Sequence, residues 1–178
     1  MSPFYNDKIG CIDFETYSVN DEGKQKVYAG GWICNDEVHK FILGDVGCET
    51  SDRLVEKKKI FSSILNSKYT DYTFYIHNLS NFDSIFILDA LTKFNYDVKA
   101  IVKEDNSIVS INIRKLLSNN NQSKAGDKGL INKKVRKTKI NVLDSNLMIK
   151  GNLRDLCKHF DCLVQKGYFP YTFLVIIH

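Results

Sequence analysis

Apolar residues recur in short alternating runs along the first part of the chain, and this pattern predicts β-strands. The clearest run, Lys8 to Phe14, is typical of a buried strand. Val27 to Cys34 and Glu37 to Leu43 follow as two more strands, joined by the turn-forming pair Asn35-Asp36. The chain is therefore expected to begin with three antiparallel strands.

Asp52 to Lys68 is predicted to be a helix, with apolar positions at Leu54, Ile60, Phe61, Ile64 and Leu65. A short strand, Tyr72 to Ile76, separates this helix from a second one, Asp83 to Phe94. The remaining predicted strands are Val98 to Lys103, Ser107 to Lys115, and Lys139 to Leu143. This order predicts an α/β fold, with a ribonuclease-H-like mixed sheet flanked by helices.

The last helix has the clearest boundary signal. Asn152 is a good helix cap, and Asp155 three residues later resembles a capping box. Apolar residues then recur on one helical face: Leu153, Leu156, Cys157 and Phe160.

The segment from Ser118 to Lys139 breaks this pattern, because it is polar, asparagine-rich and lysine-rich. It is predicted to be a flexible basic loop within a hairpin. Such a loop is either a solvated surface or a transient contact for phosphates.

Composition limits the class of protein. A chain of 178 residues with 43% hydrophobic content forms one domain with a sizeable core. The formal net charge of +4 permits a nucleic-acid partner without requiring one. No apolar run is long enough for a transmembrane helix, and the first residues do not form a signal peptide. A membrane partner is not expected.

The five cysteines include no C-x-x-C pair, which argues against a disulfide framework or a zinc ribbon. Free thiols indicate a reducing, intracellular compartment. The abundance of Asn, Lys, Ile, Tyr and Phe is typical of AT-rich genes, including organellar ones.

Carboxylates occur at two points where chemistry is expected. Asp13 and Glu15 lie two positions apart on the first strand, so their side chains share one face. They are either solvated acids at a strand end or ligands of a cation. Asp83 begins a helix, where it is either an ordinary cap or a third ligand. Carboxylates suit Mg²⁺, and two such ions clamp the reacting oxygens of a phosphodiester in two-metal nucleases.

These residues belong to two longer motifs, Asp13-Phe14-Glu15-Thr16 and a segment from His77 to Asp83 that reads H-N-L-S-N-F-D. Both resemble the first and second exonuclease motifs of family B DNA polymerases, most closely those of the protein-primed phage, plasmid and organellar branch. Asp144-Ser145, the last helix and the segment from Lys166 to Tyr171 resemble later parts of the same domain. The resemblance covers about Lys8 to Phe173.

The resemblance implies a role for each matching position. The metal ligands, for two Mg²⁺ or Mn²⁺ ions in the complete site, would be Asp13, Glu15 and Asp83. Contacts to the 3′ end of single-stranded DNA would come from Thr16, Asn78, Phe82 and Ser145. Lys166 matches a lysine that assists catalysis, by stabilising charge that develops on the phosphate.

The chain departs from the family at its third exonuclease motif, Y-x-x-x-D. The sequence has this spacing only from Tyr17 to Asp21, directly after the first motif. We therefore expect residues 1–173 to form a C-terminally truncated 3′–5′ exonuclease-like domain, followed by an aberrant tail at 174–178, without a polymerase domain. Such a chain is expected to digest DNA slowly or not at all.

The resemblance implies a DNA-directed DNA polymerase that acts in replication, with a single-stranded DNA 3′ end and a terminal-protein primer as partners, and a mitochondrial location. Two alternatives share the same residues. One is a free-standing exonuclease of the DEDD group, and the other is a non-catalytic remnant that binds single-stranded DNA.

Overall fold

The structure, a computed structural model, describes residues 7–18, 25–42, 59–80, 83–94, 96–116 and 137–163. Seven strands lie within these ranges: β1 (Ile9–Ser18), β2 (Gln25–Cys34), β3 (Glu37–Ile42), β4 (Tyr72–Ile76), β5 (Asp97–Val102), β6 (Ile108–Leu116) and β7 (Lys137–Asp144). Two α-helices are complete in them: α1 (Asp83–Lys93) and α2 (Leu153–His159). Residues 59–64 are also helical. Short 3₁₀ turns cover Ser67–Tyr69 and Ser145–Leu147.

All seven strands form one mixed sheet in the order β3-β2-β1-β4-β7-β6-β5. The central strands β1, β4 and β7 are parallel, whereas the pairs on either side are antiparallel. The predicted α/β class with a mixed sheet is therefore confirmed. The prediction of three antiparallel strands at the start is correct as well.

The first strand is longer than predicted. The apolar run ends at Phe14, but β1 continues to Ser18 because β2 pairs with it from Gly10↔Cys34 to Ser18↔Gln25. A bulge between Glu15 and Thr16 interrupts this pairing. Asp13 and Glu15 therefore lie within the strand, and the predicted end of the strand at Phe14 is wrong.

Two other boundaries differ from the prediction. β7 starts at Lys137 because it pairs with the end of β6, Leu116↔Lys137. The last three residues of the predicted basic loop are therefore strand, and residues 118–136 lie outside the described ranges. The first predicted helix is helical only at 59–64 within the described part, and its predicted final turn is instead the 3₁₀ turn Ser67–Tyr69, whose backbone is capped by the side chain of Asn66.

The core lies between one face of the sheet and the helical segments α1 and 59–64. Inward side chains alternate along the central strands, as the period of two requires. They belong to one buried cluster with residues of α1 and of 59–64, and its largest fully buried members include Phe61, Phe74, Ile76, Ile87, Leu91, Ile111 and Ile113. This packing fixes the positions of the central strands, whose ends carry the residues of interest.

Helix α2 begins as predicted: the side chain of Asn152 accepts a hydrogen bond from the backbone N–H of Asp155 at 2.9 Å. None of its residues is buried by the described part of the chain. No helix within the described ranges combines the length and the apolar character that a membrane span needs.

Candidate nucleic-acid site

The carboxyl ends of three parallel strands meet at one edge of the sheet. The ladder between β1 and β4 ends at the pair Cys11↔Tyr75. Asp13 lies two residues after Cys11, and His77 lies two residues after Tyr75. The ladder between β4 and β7 ends at Ile76↔Asp144. Residues that directly follow these pairs therefore come together although they are far apart in sequence. Crevices at this edge are the usual ligand sites of open α/β sheets.

A cleft of about 760 Å³ opens at this edge. Five of the eight residues predicted to form a site line it: Asp13, Glu15, Thr16, Asn78 and Asp83. The other lining residues of the described part are Phe14, His77, Asn146, Lys150, Gly151, Asn152 and Leu153. The cleft thus has one wall from β1 and another from the segment between β7 and α2.

The first wall follows from strand periodicity. Side chains alternate along β1, so Ile12 and Phe14 are buried in the core while Asp13 is exposed and Glu15 is half-buried. The two carboxylates therefore share the outward face.

Asp83 is the first residue of α1, and its side chain is only 6% exposed. A buried carboxylate is costly without compensation, and the N-terminal end of a helix supplies part of it through its aligned peptide dipoles. The backbone N–H of Ser84 also bonds to the carbonyl of Leu79 at 3.0 Å, which ties the helix start to the preceding loop.

That loop brings Asn78 to the cleft in a left-handed backbone conformation, with φ at 68°. Asparagine tolerates this region better than most residues. The carboxylate of Asp144 lies beneath the loop and is 3% exposed. It accepts hydrogen bonds from the backbone N–H groups of Asn78 and Ser80, each at 3.1 Å.

His77 connects the loop after β4 to the second wall of the cleft, the segment between β7 and α2. Its Nε2 lies 2.7 Å from the carbonyl oxygen of Gly151, and its Nδ1 lies 3.1 Å from the hydroxyl of Ser145. Because a carbonyl only accepts, Nε2 carries the proton, which leaves Nδ1 to accept from Ser145 in the neutral ring. The Ser145 Oγ also lies 3.4 Å from the carbonyl oxygen of Ile76, so its single proton serves one of these two acceptors at a time.

The charge of the cleft is mixed. Three carboxylates face it, and the exposed Lys150 is a cation on its second wall. The oxygen donors suit Mg²⁺ or Mn²⁺. Within the described ranges, however, no three Asp, Glu, His or Cys side chains are close enough to form a metal-binding group. The donor chemistry fits a divalent ion, but the carboxylates are not already gathered around one position.

Ser145 is the one predicted position within the described ranges that does not line the cleft. The hydroxyl of Ser145 contacts His77 and the carbonyl of Ile76, so its described contacts are with the protein itself and not with the cleft. Phe82 and Lys166 lie outside the described residues. Two residues with clear structural roles in the site had no role in the prediction: Asp144 and His77. Both belong to the segments that carry the resemblance, but the sequence contains no signal for their contacts.

Comparison with known proteins shows similarity to DNA polymerases. Residues 63–178 match the family model described as DNA polymerase type B, organellar and viral. The chain is 29% identical over 187 residues to a probable DNA polymerase of Agaricus bitorquis, covering 96% of this chain and 21% of that protein. It is 30% identical over 190 residues to a probable DNA polymerase of Neurospora intermedia, covering 96% of this chain and 17% of that protein. The chain thus spans about a fifth of these relatives.

The fold also resembles solved structures. Phi29 DNA polymerase complexed with primer-template DNA and incoming nucleotide substrates gives a TM-score of 0.59 at 20% identity, over 92% of this chain and 25% of that one. Phi29 DNA polymerase complexed with single-stranded DNA gives a TM-score of 0.56 over the same shares. At this identity the likeness concerns the fold.

Proposed function

Because the chain belongs to the organellar and viral type B DNA polymerases, we propose that its cleft binds the 3′ end of single-stranded DNA for hydrolysis by an exonuclease reaction. One observation carries the proposal: residues from three separate segments line the same cleft. Asp13, Glu15 and Thr16 come from β1, Asn78 from the loop after β4, and Asp83 from the start of α1.

The cleft offers groups that suit a strand end. The side chains of Asn78 and Asn146 supply amide groups, and Lys150 supplies a positive charge for a phosphate. The outward carboxylates of β1 repel a phosphate unless a cation neutralises them. Phe82 remains part of the proposal as a stacking contact, Ser145 as a DNA contact, and Lys166 as the lysine that assists catalysis.

Asp13, Glu15 and Asp83 would hold the divalent ions, Mg²⁺ or Mn²⁺. When bound, such ions polarise a phosphodiester and lower the pKa of water at the site. The protein's own contribution is to keep the strand end in the cleft beside these carboxylates. Since the described carboxylates form no preassembled group of three, we expect bound DNA to be hydrolysed slowly.

The relatives are much longer proteins named as probable DNA polymerases, and the proposal extends to a whole protein of that kind. We propose a role in DNA replication, as part of a DNA-directed DNA polymerase with a proofreading exonuclease and a terminal-protein primer. A mitochondrial location is part of this proposal. The composition, rich in Asn, Lys and Ile, supports it, as does the organellar family description.

Binding of a fluorescent single-stranded oligonucleotide tests the central claim. Anisotropy is measured in Ca²⁺, in Mn²⁺ and in chelator. We expect affinity to rise with either ion, because neutralised carboxylates no longer repel the strand. The variants Asp13→Asn and Glu15→Gln should lose this ion dependence. Asp97→Asn changes an exposed carboxylate on the far edge strand β5 and is the matched control.

Two results would contradict the proposal. Absence of binding under all three conditions would overturn the assignment of the cleft to single-stranded DNA. An ion dependence that survives in both β1 variants would remove Asp13 and Glu15 as metal ligands. Loss of the ion dependence in Asp97→Asn as well would show that the effect is a general charge effect.

Single-stranded DNA binding without hydrolysis is the second candidate. It is favoured because, within the described ranges, the carboxylates that face the cleft are not close enough together to form a metal-binding group. Long incubation of 5′-labelled DNA with Mn²⁺ separates the two. A ladder shortened from the 3′ end that disappears in Asp13→Asn supports the exonuclease, and intact DNA supports binding alone.

A further inference from the structure

We infer that Asp144 is a positioning residue, which holds the loop after β4 in the conformation that presents Asn78 to the cleft. Where it concerns DNA, the inference rests on the proposed function. Its structural basis is separate from that function, because it consists of hydrogen bonds within the protein. The Asp144 side chain does not itself line the cleft among the described residues.

The carboxylate uses both of its oxygens. Oδ1 accepts the backbone N–H groups of Asn78 at 3.1 Å and of Asn146 at 2.9 Å. Oδ2 accepts the backbone N–H of Ser80 at 3.1 Å and lies 2.9 Å from the Ser80 hydroxyl. That hydroxyl also lies 2.8 Å from the carbonyl of Ile108, so its single proton serves one of the two oxygens at a time.

Only the bond to Asn146 is an ordinary local cap of the turn Ser145–Leu147. The contacts with Asn78 and Ser80 join positions 66 and 64 residues away. They turn two backbone donors of one loop, which are separated by Leu79, toward a single buried carboxylate. A carboxylate that accepts several N–H groups forms strong, charge-assisted bonds.

The loop needs such a restraint. Asn78 is in the left-handed region, which costs energy for a residue other than glycine. Leu79 is fully buried beside it, and its carbonyl receives the N–H of Ser84 at the start of α1. Asp144 therefore fixes Asn78 on one side and, through Leu79, the start of the helix that carries Asp83.

The substitution Asp144→Asn tests the inference. The amide has the same shape but only one acceptor oxygen, and its NH₂ group would face N–H donors. Ile140→Val is the control, because it trims a fully buried side chain on the same strand and lowers stability without touching the loop. Amide hydrogen exchange by NMR is followed in the unliganded full chain.

We expect the amides of Asn78 and Ser80 to lose protection at least about tenfold in Asp144→Asn, while amides of β4 stay protected. Ile140→Val should not show this local loss. Unchanged protection at Asn78 and Ser80 in Asp144→Asn would overturn the inference. So would an equal loss in Ile140→Val, because it would trace the effect to global stability.

A double-mutant cycle tests the consequence for DNA. Asn78→Gly removes the amide side chain and keeps the left-handed backbone accessible. Asp144→Asn should weaken oligonucleotide binding about tenfold in the native background and less than about twofold in Asn78→Gly. Additive effects would overturn action through Asn78. If the native chain binds no DNA, the proposed function fails, and hydrogen exchange still decides whether Asp144 holds the loop.

Discussion

The imidazole of His77 ties the loop after β4 to the second wall of the cleft, because its Nε2–H donates to the carbonyl oxygen of Gly151 at 2.7 Å across 74 positions of sequence. His77 directly follows β4, and Gly151 lies just before α2. Lys150 and Asn152 flank Gly151 and line the cleft. This single contact therefore helps to set the width of the site.

Removing this link should open the second wall. We expect His77→Ala to reduce the free energy of unfolding by about 1 kcal/mol, as for a typical lost hydrogen bond. Oligonucleotide affinity should also fall, because Lys150 and Asn152 are no longer held at a fixed distance from the loop. Urea unfolding and anisotropy measure the two effects. His159→Ala on α2 is the matched histidine control, and equal effects of the two variants would contradict a specific role for His77.

Binding to single-stranded DNA should weaken as salt increases, because cations released from phosphates contribute to affinity. Each phosphate contact adds about 0.7 to the slope of log affinity against log salt concentration. We expect Lys150→Gln to reduce the slope by about that amount. Lys103→Gln, at the far β5–β6 turn, should leave it unchanged. A slope near zero for the native chain would exclude binding dominated by phosphates.

Gly10 is packed against a core ring. A Cβ at this position would lie 2.4 Å from Cε1 of Phe74, and Phe74 is fully buried. Gly10→Ala should therefore destabilise the protein by about 1–3 kcal/mol, the usual range for overpacking. Urea unfolding is the measurement, with Cys11→Ala, an exposed neighbour, as control.

The same clash predicts a compensation. Combining Gly10→Ala with Phe74→Leu should cost less than the sum of the two separate changes, because the smaller side chain leaves room for the methyl group. Strict additivity would show that Phe74 is not the group that excludes a side chain at Gly10.

Stability should depend on pH through Glu37. The pKa of Glu37 is held below its ordinary value of 4.5. The larger cause is a hydrogen bond from Lys68, and the second is a hydrogen bond from the hydroxyl of Tyr69. A lowered pKa in the folded state stabilises the protein above the ordinary value. This contribution disappears as the pH falls through the lowered value.

Glu37→Gln should therefore be less stable than the native chain near neutral pH, and the gap should close in acid. Urea midpoints measured from about pH 7 to about pH 3 follow this change. Glu104→Gln, at an exposed turn position, is the control. A gap that stays constant down to the lowest pH would show that the Glu37 carboxylate does not stabilise the fold through its charge.

The sequence by itself determined the local features of this protein. The strand Tyr72–Ile76 has the predicted bounds, and Asn152 caps the last helix as predicted. Asp13 and Glu15 share a face because the side-chain period of any strand is two. These features depend on neighbours a few residues away, so periodicity and capping signals suffice to predict them.

The tertiary structure decided how these features combine. β1 extends to Ser18 only because β2 pairs with it, and β7 begins at Lys137 because β6 reaches it. Asp144 meets Asn78, and His77 meets Gly151, because parallel strands place their carboxyl ends at one edge of the sheet. Contacts between positions more than 60 residues apart depend on strand order and register. Those are set by packing of the whole core, which leaves no local pattern in the sequence.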